Sequence, residues 1–166
     1  MLASRSEQVI ELMHTQNIKP NFNFSFQYRL INAPGFFKNQ KTNHNNYLFT
    51  SRYESVNKRY NAYLVLLGNK LQAGENGGIE DSSLADPDLK DRFNITTKLG
   101  GDQADSRSFF STDVGTGNRY SEFTVLLRQQ YDFGKKDSIV TDSTGVPLFF
   151  PRLRFEHTLQ YSSRKY

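Results

Sequence analysis

The sequence predicts an all-β chain, folded as an antiparallel up-and-down meander. Three observations predict it. Residues 21–30, NFNFSFQYRL, alternate without a fault: Phe22, Phe24, Phe26, Tyr28 and Leu30 are large and apolar, while Asn21, Asn23, Ser25, Gln27 and Arg29 are polar. A period of two gives a strand one oily face and one wet face. The same alternation returns at 45–55, 120–133 and 151–162. Between these runs lie segments rich in Gly, Pro, Asn and Asp, the residues that make turns.

Taken in order, residues 6–18 are ambiguous. Ser4 with Glu7 resembles a capping box and VIELM could open a helix, whereas a strand would have mixed parity. Residues 17–20, NIKP, predict a short turn, with Pro20 at a strand start because it cannot donate a ladder hydrogen bond. The faultless strand runs from about Asn21 to Ile31, and Pro34-Gly35 marks the loop 32–43. In 45–55, Tyr47, Phe49 and Tyr53 share a side, and Leu48, Thr50, Arg52 and Glu54 take the other. Val56, Asn57 and Lys58 make a tight turn. Residues 59–70, RYNAYLVLLGNK, form a strand whose continuous apolar centre leaves its facing open. Residues 71–118 read as a long loop region, with a short strand conceivable near 94–99. Phe123, Val125, Leu127, Tyr131 and Phe133 then alternate with Glu122, Thr124, Arg128, Gln130 and Asp132. GKKDSIVTDSTGVPLFF, residues 134–150, is a connection. The last strand sets Leu153, Phe155, His157, Leu159 and Tyr161 against Arg152, Arg154, Glu156, Thr158, Gln160 and Ser162.

Composition bears on what covers the oily faces. Only 36% of residues are hydrophobic, yet 14% are aromatic, with 14 Phe, 9 Tyr and no Trp. A packed soluble core would use more aliphatic side chains. No apolar run is long enough for a transmembrane helix, which needs about 20 residues. There is no cysteine, so disulfides and thiolate metal sites are excluded. The net charge is +4, but the basic residues are spread along the chain, unlike the clusters of a nucleic-acid binder, so no nucleic-acid partner is expected. The start, MLASRSEQVIELM, has no apolar signal core, so an exported protein would carry its leader elsewhere.

Alternation alone does not choose between a soluble sheet and a membrane barrel, since both have a polar outer or inner face. Three features favour lipid. Aromatic rings dominate the oily faces, as interfacial girdles require. The strands are longer than the ~5–6 residues usual in globular sheets. Connections alternate between short (17–20, 56–58) and long (32–43, 71–118), the habit of outer-membrane barrels. The expected architecture is therefore part of a transmembrane β-barrel with long external loops. Residues 1–166 would make one segment of an incomplete barrel.

The stretches LMHTQN (12–17), FQYRLINAPGF (26–36), NQKTNHNN (39–46), NKRYNAY (57–63), ENGGI (75–79), SEFTVLLRQQYDFG (121–134) and LRFEHTLQYSSRKY (153–166) resemble the Bacteroidetes porin family of outer-membrane β-barrels. The resemblance covers most of the chain outside 80–118. It implies that residues 6–18 are a strand, that the chain resides in the bacterial outer membrane and that its partners are membrane lipid and further barrel strands or subunits. It implies passive diffusion of small solutes. Six or seven strands fall short of the eight or more of a closed barrel, so the chain is expected to be a fragment of a larger one.

No catalytic constellation is present, and the chain is not expected to be an enzyme or to hold a cofactor. His14, His44 and His157 are widely separated without ligand spacing, and an interface histidine is the simpler reading. Asp102, Asp105 and Asp113 lie near glycines, but no calcium-loop spacing fits. The sequon Asn94-Ile95-Thr96 means little in a bacterial envelope protein. The polar strand faces carry the functional expectation. Arg29, Arg52, Arg128, Arg152 and Arg154, moderated by Glu54 and Glu156, are the pore-lining candidates and would favour anions; the equal alternative is a lumen filled by a plug, or a simply solvated face. Phe22, Phe24, Phe26, Tyr28, Tyr47, Phe49, Tyr53, Phe123, Phe155 and Tyr161 are the lipid-facing candidates. The competing expectation is a soluble, aromatic-rich β-domain that binds a ligand or single-stranded nucleic acid by stacking.

Overall fold

Alternation sustained over a dozen residues makes a strand long enough to pair along its whole length with the next, and short turns force that pairing to be antiparallel. The computed structural model, described over residues 7–35, 37–84, 95–100, 114–141 and 144–166, has this architecture. Its strands are β1 (Gln8–Lys19), β2 (Phe22–Ala33), β3 (Thr42–Glu54), β4 (Tyr60–Gly74), β5 (Gly117–Thr141) and β6 (Thr144–Lys165), with one short helix α1 (Asp81–Leu84). They form a 6-stranded sheet in the order β1-β2-β3-β4-β5-β6. All pairs are antiparallel. The sheet does not close: β1 and β6 are its two edges and do not touch.

The ambiguous segment 6–18 lies in a strand. Leu12 stands opposite Tyr28, and Ile10 opposite Leu30, so pairing with the most regular strand overrides the local helical pattern. Strand β1 ends in a bulge between Asn17 and Lys19. The turn joining β3 to β4 is closed by Ser55 N donating to Tyr60 O and Lys58 N donating to Ser55 O, both at 2.8 Å. Lys58 takes a φ of 55° there.

Two boundaries differ from expectation. Strand β4 runs on to Gly74 and β5 begins at Gly117, so the long connection is 75–116, not 71–118. Near the expected short strand, Ile79 and Thr97 form an isolated antiparallel bridge; Asn94 lies outside the described residues. The larger correction concerns 134–150. This is not a loop but a continuation of the β5–β6 hairpin, paired out to Thr141 opposite Thr144. Pro147 and Pro151 suggested a break. Both lie in β6, an edge strand, where a missing N–H costs no ladder bond on the open side. A register shift between Phe133 and Gly134 leaves Arg152 without a cross-strand partner. Pairing of β5 with β4 stops at Tyr131 opposite Tyr60, so beyond the bulge β5 and β6 continue as a two-stranded ribbon.

No second layer covers the sheet among the described residues. The strands contact only their sequence neighbours, and the buried hydrophobic residues are Leu30 and Val114. Phe155 is 63% exposed and Tyr161 59%. A water-soluble domain of this size would hide such rings in a common interior.

Candidate functional site

Cross-strand register decides which side chains share a face, and here it separates two chemistries. One face carries most of the rings; Tyr63 and Tyr120 stand on the other. Row by row across β2 to β6, it presents Tyr28, Tyr47, Gly68, Phe123 and Ser163; then Phe26, Phe49, Leu66, Val125 and Tyr161; then Phe24, Ser51, Leu64, Leu127 and Leu159; then Phe22, Tyr53, Ala62, Gln129 and His157. Tyr60, Tyr131 and Phe155 form a further row. Rings touch across and along strands: Phe24 stacks on Phe49 with centroids 6.3 Å apart, Tyr53 meets Tyr60 at 6.3 Å and Tyr131 meets Phe133 at 4.7 Å. Leu and Val hold the centre, and tyrosines gather toward both ends.

The apolar band has a definite height. Phe123 to Phe133 along β5 spans roughly 34 Å at the usual rise per residue. At the ~40° tilt of barrel strands this is about 26 Å along the membrane normal, close to the ~25 Å apolar band of transmembrane barrels.

The opposite face carries paired charges. Arg29 Nη2 reaches Glu11 Oε2 at 2.9 Å, and Gln27 donates to the other Glu11 oxygen at 2.8 Å. Arg128 meets Glu156 at 3.0 Å, Arg164 meets Glu122 at 3.1 Å, and Arg52 meets Glu54 at 3.3 Å. Arg154 grips Asp132 with two bonds, Nε to Oδ1 at 2.8 Å and Nη2 to Oδ2 at 3.2 Å. Gln130 adds a third bond to Asp132, at 3.1 Å. Three of these pairs stand directly opposite each other in register: Glu11 with Arg29, Asp132 with Arg154, and Glu122 with Arg164. Exposed pairs of this kind add little stability, but they fix where charge sits and cancel it locally. In the middle of this face, Leu48, Val65, Leu67 and Leu126 form a small apolar patch, which resolves the open facing of β4: Leu64 and Leu66 are on the ring-bearing side, Val65 and Leu67 on the charged side.

At the long-connection end the two loops are stitched together. Asn39, at a φ of 58°, donates from Nδ2 to Thr97 Oγ1 at 3.0 Å and to Leu99 O at 3.1 Å. Asn76 Nδ2 donates to Lys38 O at 3.3 Å, and Gly74 N donates to Lys41 O at 2.7 Å. Asn39, Lys41 and Thr97 are buried. Residues 38–41 are thus hydrogen-bonded to residues 74–76 and 97–99 at that end of β3 and β4.

A family model described as "Putative porin" matches residues 2–166. The chain belongs to that porin family. No curated protein and no solved structure matches it.

In this porin-family chain the ten ring-bearing candidates, Phe22, Phe24, Phe26, Tyr28, Tyr47, Phe49, Tyr53, Phe123, Phe155 and Tyr161, all fall on one face. Of the charged candidates, Arg29, Arg52, Glu54, Arg128, Arg154 and Glu156 share the other face. Arg152 stands apart at the bulge. Sequence reasoning missed Glu11 and Arg164, and it named Glu122 and Asp132 only as polar alternates. The signal for their roles is cross-strand: each carboxylate becomes an arginine partner only once register is known. Asn39 lies in the stretch NQKTNHNN that carries the family resemblance, and its bonds to Thr97 and Leu99 supply a structural reason for an asparagine there. His14 and His157 lie on the ring-bearing face at opposite edges of the sheet, and His44 on the charged face. Among the described residues no group of metal-ligating side chains comes together. Asp102, Asp105 and Asp113 lie outside the described residues.

Proposed function

We propose that these six strands are a sector of a β-barrel in the bacterial outer membrane, with hydrocarbon against the ring-bearing face and a water-filled lumen against the charged face, through which small polar solutes diffuse passively. One observation carries this reading: an apolar band of membrane height, girdled by tyrosines at both ends, extends across the sheet with no protein layer over it among the described residues. In water such a face would be a large aggregation-prone patch. In lipid it is the surface a barrel must present.

The two open edges belong to the same reading. Unpaired N–H and C=O groups at membrane depth each cost several kcal/mol, so β1 and β6 require further strands. A closed barrel takes eight or more. The charged face suits a lumen that is polar but locally neutral: Arg29, Arg52, Arg128, Arg154 and Arg164 are each matched by a carboxylate. This tempers the anion preference that the arginines alone would confer. Arg152 makes no ion pair among the described residues and is the one candidate left to bias the field.

The protein that carries these strands should be extracted only with detergent, migrate differently on gels before and after boiling, and conduct ions across planar bilayers. A chain that is monodisperse in detergent-free buffer would return the soluble, ligand-binding reading instead.

A further inference from the structure

On the ring-bearing face the first strand differs from its neighbours. The outward residues of β2 from Phe22 to Leu30 and of β4 from Ala62 to Leu66 are all apolar or aromatic. Between the end rows of the band, β3, β5 and β6 each admit one polar exception: Ser51, Gln129 and His157. Strand β1 contributes His14, Gln16 and, past the bulge, Lys19 to those same rows. Its whole outward series is Gln8, Ile10, Leu12, His14, Gln16 and Lys19. Successive outward residues of a strand tilted ~40° lie about 5 Å apart along the membrane normal, so a ~25 Å band takes about five of them. Any five in succession on β1 include three polar ones, and His14 and Gln16 belong to every such set. The polarity of β1 at membrane depth therefore does not depend on how far the sheet is tilted or shifted.

Neither His14 nor Gln16 has a hydrogen-bond partner for its side chain among the described residues. His14 meets the Phe24 ring, with centroids 5.7 Å apart. Strand β2 has no partner to offer: the residues directly opposite are Phe26 and Phe24, and the Tyr28 hydroxyl already donates to Asn45 Oδ1 at 2.9 Å. Unpartnered polar side chains are costly in hydrocarbon. A further strand paired to the free edge of β1 would satisfy its backbone. It would not cover side chains that point away from the barrel.

We infer that the outward face of β1, centred on Leu12, His14 and Gln16, packs against the same face of a second copy of this protein, side by side in the membrane. The inference rests on the barrel reading above. Hydrogen-bonding chemistry selects the occupant. A glutamine amide and a neutral imidazole each donate and accept, so each can pair with its own duplicate. Copies inserted in the same direction are related by an axis along the membrane normal, which sets His14 level with His14 and Gln16 level with Gln16. Ile10 and Leu12, both exposed, supply apolar contact beside them. Lys19 ends the face at the bulge, where its long side chain can carry the amine out to water.

The test uses the full-length protein in a background with no other cysteine, co-expressed as two differently tagged versions and oxidised in isolated membranes. At least one of His14→Cys and Gln16→Cys should give a disulfide-linked pair that carries both tags. Leu64→Cys, on β4 of the same face, should not. Linkage at neither 14 nor 16, equal linkage at 16 and 64, or linkage to a different polypeptide overturns the inference. The variant H14L/Q16L makes the outward face more apolar. Diluted in lipid vesicles, it should self-associate about 8-fold more weakly, since a side-chain hydrogen bond between membrane segments contributes roughly a factor of three. Unchanged association overturns the inference equally, and the linkage pattern decides should that variant fail to fold. A membrane-embedded, heat-modifiable protein that stays unlinked sinks this inference alone; a protein recovered in the soluble fraction sinks the barrel reading.

Discussion

The ring of Tyr47 lies where a side chain at Gly68 would have to be. The two residues are cross-strand partners in β3 and β4, and a Cβ at Gly68 would collide with Cζ, Cε1 and Oη of Tyr47. An aromatic laid over a strand glycine covers backbone that would otherwise be bare, and it fixes the ring in one orientation. Substitution Gly68→Ala should therefore displace the Tyr47 ring and cost about 1–3 kcal/mol, the usual penalty for overpacking. In a double-mutant cycle Tyr47→Ala should relieve most of that penalty, measured by denaturant unfolding in detergent.

The ion pairs on the charged face predict the direction of selectivity changes. Glu156→Gln removes the partner of Arg128, 3.0 Å away, and leaves a free cation. Reversal potentials in a salt gradient should move toward anion selectivity. Arg128→Gln should move them toward cation selectivity. Shifts of the same sign in both variants would mean that this face does not line the conducting path.

Asn39 joins the two long connections through Thr97 and Leu99. Replacing this buried side chain with Ala removes both bonds, although Leu99 O keeps the one from Thr97 Oγ1 at 2.8 Å, and should cost about 1–3 kcal/mol. The Asn39→Ala variant should become sensitive to limited proteolysis within residues 75–100 while its strands stay protected.

Lys58 occupies the left-handed region at the tip of the β3–β4 turn. That conformation costs a side-chain-bearing residue roughly 1–2 kcal/mol, and glycine escapes it at some entropic expense. Lys58→Gly should stabilise the protein by about 0.5–1 kcal/mol in the same unfolding assay.

How much of this was legible in the sequence depends on how much of the information is local. The face of Phe22, Phe24 and Phe26 is written in period two within one strand, and it is correct. The face of Leu64 and Leu66 is not, because both sides of β4 are apolar at its centre and only register with β3 and β5 assigns them. The same holds for Glu11 and Asp132, whose arginine partners come from adjacent strands. Residues 134–150 misled because Gly and Pro usually punctuate structure; here the edge position of β6 removes the objection to proline, and Gly134 admits the carbonyl of Phe150, which any Cβ would meet.

The central claim, that hydrocarbon covers the ring-bearing face, can be read one residue at a time along β4. The chain contains no cysteine, so nitroxide labels can be placed singly at positions 62 to 67. In reconstituted membranes, collision with oxygen should peak at Ala62, Leu64 and Leu66, and collision with a water-soluble nickel chelate at Tyr63, Val65 and Leu67. Nickel access equal at both sets, or strongest at the even positions, would contradict it.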